Sequence, residues 1–89
     1  MFEHRSRLGI CVLLSKYDQL SFRRLKDLLQ ETDGNLGAQL KKLEEAEFIS
    51  IEKEFVDRKP VTWYSITKQG KKDLKKHLKS IESLSKGVW

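Results

Sequence analysis

The chain has 89 residues, enough for one domain and too few for a second core. It is 38% hydrophobic and 35% charged, and 18 Lys and Arg against 13 Asp and Glu give a net charge of +5, which points to a polyanionic partner, nucleic acid before an anionic membrane surface. The longest apolar run, residues 10–14, is far below the roughly 18–20 residues needed to span a bilayer.

Residues 5–16 are predicted to form a first helix, with Leu8, Cys11, Val12 and Ser15 on one stripe and Leu14 beside them. Gly9 weakens it by about 1 kcal/mol relative to alanine. Cys11 lies in the middle of the apolar run and is expected to be a buried small hydrophobe, not a reactive thiol. A single cysteine with no leader-like segment before it points to a reducing, cytoplasmic setting. Residues 19–21 are short and extended.

Ser21 is placed to cap a second helix over residues 22–30, whose core stripe is Phe22, Leu25 and Leu29, with Leu28 alongside. Arg23, Arg24 and Lys26 face outward. After a turn at residues 31–34, Thr32 or Asp33 caps a third helix with the stripe Leu36, Leu40 and Leu43. Two short helices about four residues apart, the second capped by a polar residue, fit a helix-turn-helix over residues 22–46.

Past Ala46 the period changes to two. Phe48, Ile49, Ile51 and Phe55 lead one run; Val61 to Ile66 forms another, rich in β-branched and aromatic residues. Residues 56–60 lie between them, with Pro60 expected in the turn or at the first strand position. The pair reads as a hairpin over residues 48–66 with a basic tip, Arg58 and Lys59. Trp63 is expected to face outward against the lysine stems of the neighbouring strand. Thr67 caps a last helix, residues 68–84, on which Leu74, Leu78, Ile81 and Leu84 form a narrow stripe. Lys68, Lys71, Lys72, Lys75, Lys76 and Lys79 cover its other faces, and order is expected to end at Gly87.

At about 100° per residue, a third helix buried through its leucines turns Asn35, Ala38, Lys41 and Lys42 outward, with Gly34, Gly37 and Gln39 flanking. Asn35 and Gln39 carry the groups that pair with adenine edges, and the lysines suit phosphates or guanine. Gly34, Gly37 and Ala38 let backbone approach a groove closely. Arg58 and Lys59 suit a minor groove or its phosphates.

This order resembles the winged-helix transcriptional regulators of the MarR and ArsR groups, in their small single-domain branch. The resemblance rests on Thr32-Asp33-Gly34-Asn35-Leu36, Leu43-Glu44-Glu45-Ala46, Phe48-Ile49, Glu52-Lys53-Glu54-Phe55, Arg58-Lys59-Pro60, and Tyr64-Ser65-Ile66-Thr67 with Gly70. It implies an α+β, mostly α winged helix-turn-helix spanning residues 1–89, with a two-stranded wing and a long C-terminal dimerisation helix. By the same resemblance, Thr32, Asn35, Gly37, Ala38, Gln39, Lys41 and Lys42 face double-stranded DNA from the third helix, and Arg58 and Lys59 from the wing. Leu8, Leu74, Leu78, Ile81 and Leu84 would then build a homodimer. Two places differ from the family pattern: Gly37, Ala38 and Gln39 stand where serine, arginine or histidine is common, and Glu47 where glycine is usual.

No catalytic or cofactor site is expected. His4 and His77 lie at opposite ends without ligand-spaced partners, and no phosphate-binding glycine motif or nucleophile elbow occurs. The expectation is a DNA-binding regulator, a homodimeric repressor of a palindromic operator, with no membrane role. A winged helix serving protein–protein contacts in a larger assembly is the first alternative, and an RNA-binding one the second.

Overall fold

Four helices and three strands make up the chain in a computed structural model that describes residues 1–88, with side chains described through Ser83. The order is α1 (Arg5–Lys16), β1 (Leu20–Ser21), α2 (Phe22–Leu29), α3 (Asp33–Glu45), β2 (Ile49–Val56), β3 (Lys59–Ile66) and α4 (Lys68–Val88). Three helices start on the caps the sequence offers. Ser21 Oγ accepts from the Arg24 amide at 3.2 Å, Thr32 Oγ1 from that of Asn35 at 3.1 Å, and Thr67 Oγ1 from that of Gly70 at 3.0 Å. Each bond satisfies an amide that a helix start leaves open.

The leucines of α3 meet the other elements in one core. Leu36, Leu40 and Leu43 are buried with Ile10, Cys11 and Leu14 of α1, Leu25 of α2, and Leu20, Ile49 and Tyr64 of the sheet; Leu74 and Phe2 close it. On α1 the stripe is rotated from the expected one: Ile10, Cys11 and Leu14 are buried, whereas Val12 and Ser15 are exposed and Leu8 half-buried. Residues 10–14 are apolar all around their turn, so periodicity cannot select the inward arc there.

β2 and β3 pair antiparallel over their full lengths, from Ile49 opposite Ile66 to Val56 opposite Lys59. Leu20 and Ser21 add a third strand against Tyr64 and Trp63, giving the order β1-β3-β2. The extended segment before α2 thus roots the wing in the helix-turn-helix.

The hairpin turn is tighter than expected. Only Asp57 and Arg58 turn, with φ of 51° and 65°, the two left-handed residues of a type I′ geometry that suits strand twist. Pro60 is neither in the turn nor first in its strand: it is the second residue of β3, opposite Phe55. In a two-residue hairpin this pair is the non-hydrogen-bonded one, so position 60 aims its nitrogen away from β2. β1 reaches only Trp63 and Tyr64, so no ladder bond is lost there.

Glu47 does close the turn after α3 in the left-handed region, at φ 63°. The Phe48 amide donates to the Leu43 carbonyl and the Glu47 amide to that of Glu44, both at 2.9 Å, a Schellman closure without glycine. A β-carbon in that conformation costs about 1–2 kcal/mol. Gly70, by contrast, is dictated by packing: a Cβ there would run into the Phe48 carbonyl oxygen, which accepts from the Thr67 amide at 2.9 Å. The first turn of α4 is thereby seated on the start of β2. α4 continues through Gly87 to Val88, past the expected end.

Candidate nucleic-acid interface

The leucine arc of α3 determines what the helix presents outward. Gly34, Ala38, Lys41 and Lys42 are exposed on the opposite side and Gly37 is half-buried at its edge. Thr32 is exposed at the helix start, with its hydroxyl accepting the capping bond. Asp33 is paired with Lys26 at 2.8 Å, a surface ion pair joining α2 to the start of α3.

The two amides expected on this reading surface are elsewhere. Gln39 is 6% exposed and completes the buried arc with Leu36, Leu40 and Leu43 at i, i+3, i+4 and i+7. Asn35 is half-buried, about 100° around from Leu36 on the same flank as Gln39, and does not stand on the far side. Both belong to a polar network against α1. Arg7 Nη1 donates to Gln39 Oε1 at 2.8 Å, and Gln39 Nε2 donates to Asn35 Oδ1 at 3.3 Å. Asn35 Nδ2 donates to Glu31 Oε2 at 2.6 Å and to Ser6 Oγ at 3.3 Å, while the Ser6 hydroxyl donates to Glu31 Oε1. The hydrogen bonds from Ser6 and then Asn35 hold the Glu31 carboxyl below its ordinary range. Arg7, Ser6 and Glu31 carried no expectation as site residues. The legible signal was the spacing Glu31, Asn35, Gln39, at i, i+4 and i+8, which lines polar groups along one edge of α3 and the turn before it.

The wing exposes Asp57, Arg58 and Lys59 at its tip. Lys59 also lines a cleft with Pro60, Val61 and Thr62 on one side and Ser21, Phe22 and Arg23 on the other. Arg23, at the start of α2, is thus a cation of this surface that the sequence placed only as outward-facing. The pleat divides the wing: Lys53, Phe55, Pro60 and Thr62 lie on one face, Glu52, Glu54 and Trp63 on the other. Trp63 is half-buried, and its Nε1 donates to Glu54 Oε1 at 2.7 Å, an acid where lysine stems were expected. Phe55 is 80% exposed.

Of the residues expected in a dimer seam, two are engaged within the chain itself. Leu74 is 3% exposed in the core, and Leu8 packs half-buried against it. The i+4 and i+7 steps from Leu74 carry Leu78 and Ile81 past the domain body, where they are 45% and 47% exposed. Leu78 lies beside Ser15 of α1 in a shallow groove flanked by Lys71, Lys75 and Lys79. The Leu84 side chain lies outside the described residues.

Burial pushes the Cys11 thiol up to about 11, so it is neutral and enclosed. Among the described residues, no helix is long and apolar enough to cross a membrane, and no three His, Cys, Asp or Glu side chains gather as metal ligands.

A family model described as a winged helix DNA-binding domain matches residues 6–85. An uncharacterized protein of Methanocaldococcus jannaschii is 35% identical over 88 residues, 99% of this chain and 96% of its own length. Among solved structures, a transcriptional regulator homologue from Pyrococcus horikoshii is similar with a TM-score of 0.91 and 29% identity, covering 98% of this chain and 86% of that one. PadR of Bacillus subtilis, solved in complex with operator DNA, is similar with a TM-score of 0.72 and 25% identity over 81% of this chain and 45% of the PadR chain.

Proposed function

The chain belongs to the winged helix DNA-binding domain family, and from that premise we propose that it acts in the cytoplasm as a homodimer that represses transcription by occupying a two-fold-related duplex operator. It is a DNA-binding transcriptional regulator and not an enzyme, and its branch is PadR-like rather than the MarR or ArsR groups its residues first resemble. In two-fold operators, half-site centres lie about 10 bp apart or a multiple of that.

The observation that carries this proposal is a juxtaposition. A helix whose outer face is small residues followed by Lys41 and Lys42 stands beside a hairpin tipped with Arg58 and Lys59, with Arg23 in the cleft below. Small residues permit close approach of backbone to a groove, and the cations meet phosphates. Double-stranded DNA is the partner this surface fits. Support for the dimer comes from Leu78 and Ile81, an apolar strip on α4 that nothing in one chain covers among the described residues.

Salt titration tests the DNA proposal: affinity for duplex DNA should fall steeply, with a log–log slope of about −0.9 for each phosphate contacted. A flat dependence removes the phosphate-contact mechanism. Removing the tip cations together, Arg58→Ala with Lys59→Ala, should weaken binding to every duplex several-fold while leaving the melting temperature in place. For the dimer, Leu78→Asp should give monomers in sedimentation, and a persisting dimer would put the interface elsewhere. One observation favours a second use, a protein-docking wing: Phe55 is exposed well beyond what a solvated hairpin needs. That use predicts partner binding insensitive to salt and lost with Phe55→Ala.

A further inference from the structure

In a helix-turn-helix the N-terminal part of the second helix meets base edges. Over the first eight residues of α3, every side chain able to read a base is already engaged or absent. Asp33 is paired with Lys26 at 2.8 Å. Gly34, Gly37 and Ala38 carry nothing that donates or accepts, and Leu36 and Leu40 are buried. Only Asn35 and Gln39 have the paired donor and acceptor that adenine N6 and N7 require. All four of their polar atoms are engaged within the chain. Asn35 Nδ2 has two acceptors, Glu31 and Ser6; Asn35 Oδ1 accepts from Gln39; Gln39 Oε1 accepts from Arg7. The remaining atom, Gln39 Nε2, is the donor of the bond to Asn35. Lys41 and Lys42 stand about 12 Å further along the axis, eight residues from the helix start, where the strand backbone is the nearer target.

We propose that Glu31 and Arg7 are specificity-determining positioning residues: by holding the amides of Asn35 and Gln39 against α1, they leave α3 without a base reader, so the protein selects duplex DNA by its shape and not by major-groove base edges. The inference rests on the DNA-binding reading above and adds how the target is chosen. Two features make the clamp hold. The bonds at Glu31 and Arg7 involve charged groups, which bind amides more strongly than neutral partners do. The network also spans three pieces of chain, Ser6 and Arg7 of α1, Glu31 of the turn, and α3 itself, so freeing an amide means breaking contacts with a separate helix. Asn35 is the one that can be released. It is half-buried at the helix edge, whereas Gln39 sits in the buried arc. Shape selection then falls to close backbone approach at Gly34 and Gly37, where even an added Cβ would meet open space, and to the deformability of the duplex.

Duplexes in which adenine or guanine is replaced by its 7-deaza analogue lack the N7 acceptor of the major groove and test this directly. The intact protein should bind natural, 7-deazaadenine and 7-deazaguanine duplexes within about two-fold of one another. Loss of roughly 5- to 100-fold on either analogue, the range a bidentate base contact represents, overturns the proposal. Glu31→Ala, whose folding is checked by its melting curve, should acquire sensitivity to 7-deazaadenine as Asn35 turns to the groove. Should that variant fail to fold, Ala38→Gln supplies an amide on the exposed face without touching the network, and should gain the same sensitivity. An Ala38→Gln protein as indifferent as the parent also overturns the proposal, because position 38 would then not face base edges. Failure of the underlying DNA reading looks different: no duplex of any kind is bound at low salt.

Discussion

α3 and the wing approach the same proposed partner but are built in opposite ways. α3 is fixed from behind: its leucines fill the core, its amides are tied to α1, and its outer face is nearly bare. The wing is fixed only at its root, where β1 pairs with Trp63 and Tyr64, and every residue from Glu52 to Pro60 is exposed. Its functional groups are unburied and its turn is held in a conformation that both central residues resist. A buried-anchored helix with a bare outer face and an exposed hairpin that carries charge are complementary parts of one surface. In the proposed mode the helix sets where a duplex lies, and the wing brings charge to it.

The largest expected effect breaks the helix half of this comparison. Leu43 is fully buried, so Leu43→Ala should destabilise the chain by about 2–5 kcal/mol. At roughly 4–8 °C per kcal/mol for a domain of this size, the melting temperature should drop by at least 8 °C or so. A drop of under 2 °C would show that α3 is not anchored as described. Arg58→Gly works on the other half and should separate stability from binding. Relief of a left-handed side chain should stabilise by about 1 kcal/mol, while duplex affinity falls several-fold. Parallel loss of both would tie the wing to the core after all.

The smallest expected effect concerns Glu31. Hydrogen bonds from Ser6 and Asn35, with further help from the charges of His4 and Arg5, lower its pKa in the folded chain. Its contribution to stability is therefore present above its ordinary pKa and lost as pH falls through the lowered one. Melting curves between pH 5 and about 3 should show the parent losing more stability than Glu31→Gln, and equal slopes would deny the clamp its charge.

Local chemistry made much of the architecture legible. Caps at Ser21, Thr32 and Thr67, the i, i+4, i+7 leucines of α3, and the change of period after Ala46 each depend on neighbours a few residues away. What escaped the sequence depends on distant partners. Gln39 reads as polar and outward until Arg7, 32 residues earlier, supplies the guanidinium that lets it be buried. The same holds for the third strand, where Leu20 acquires its role only from Tyr64, and for Leu74, which looked free for a partner chain and is used by its own. Glu47 is an intermediate case: its departure from glycine was visible, and the left-handed φ of 63° follows from the need to close α3 and start β2 within three residues, Ala46 to Phe48.

Pro60 has one more consequence. Beyond β1, the outer edge of β3 runs open toward the tip, and an open edge is a template on which another chain can add a strand. A proline there offers no amide to an incoming strand, while the other edge, on β2, carries Glu52, Lys53 and Glu54 in succession. The two edges are guarded by different means, one by a missing donor and one by charge. A hairpin left bare for the proposed DNA contact is thereby guarded against pairing with copies of itself.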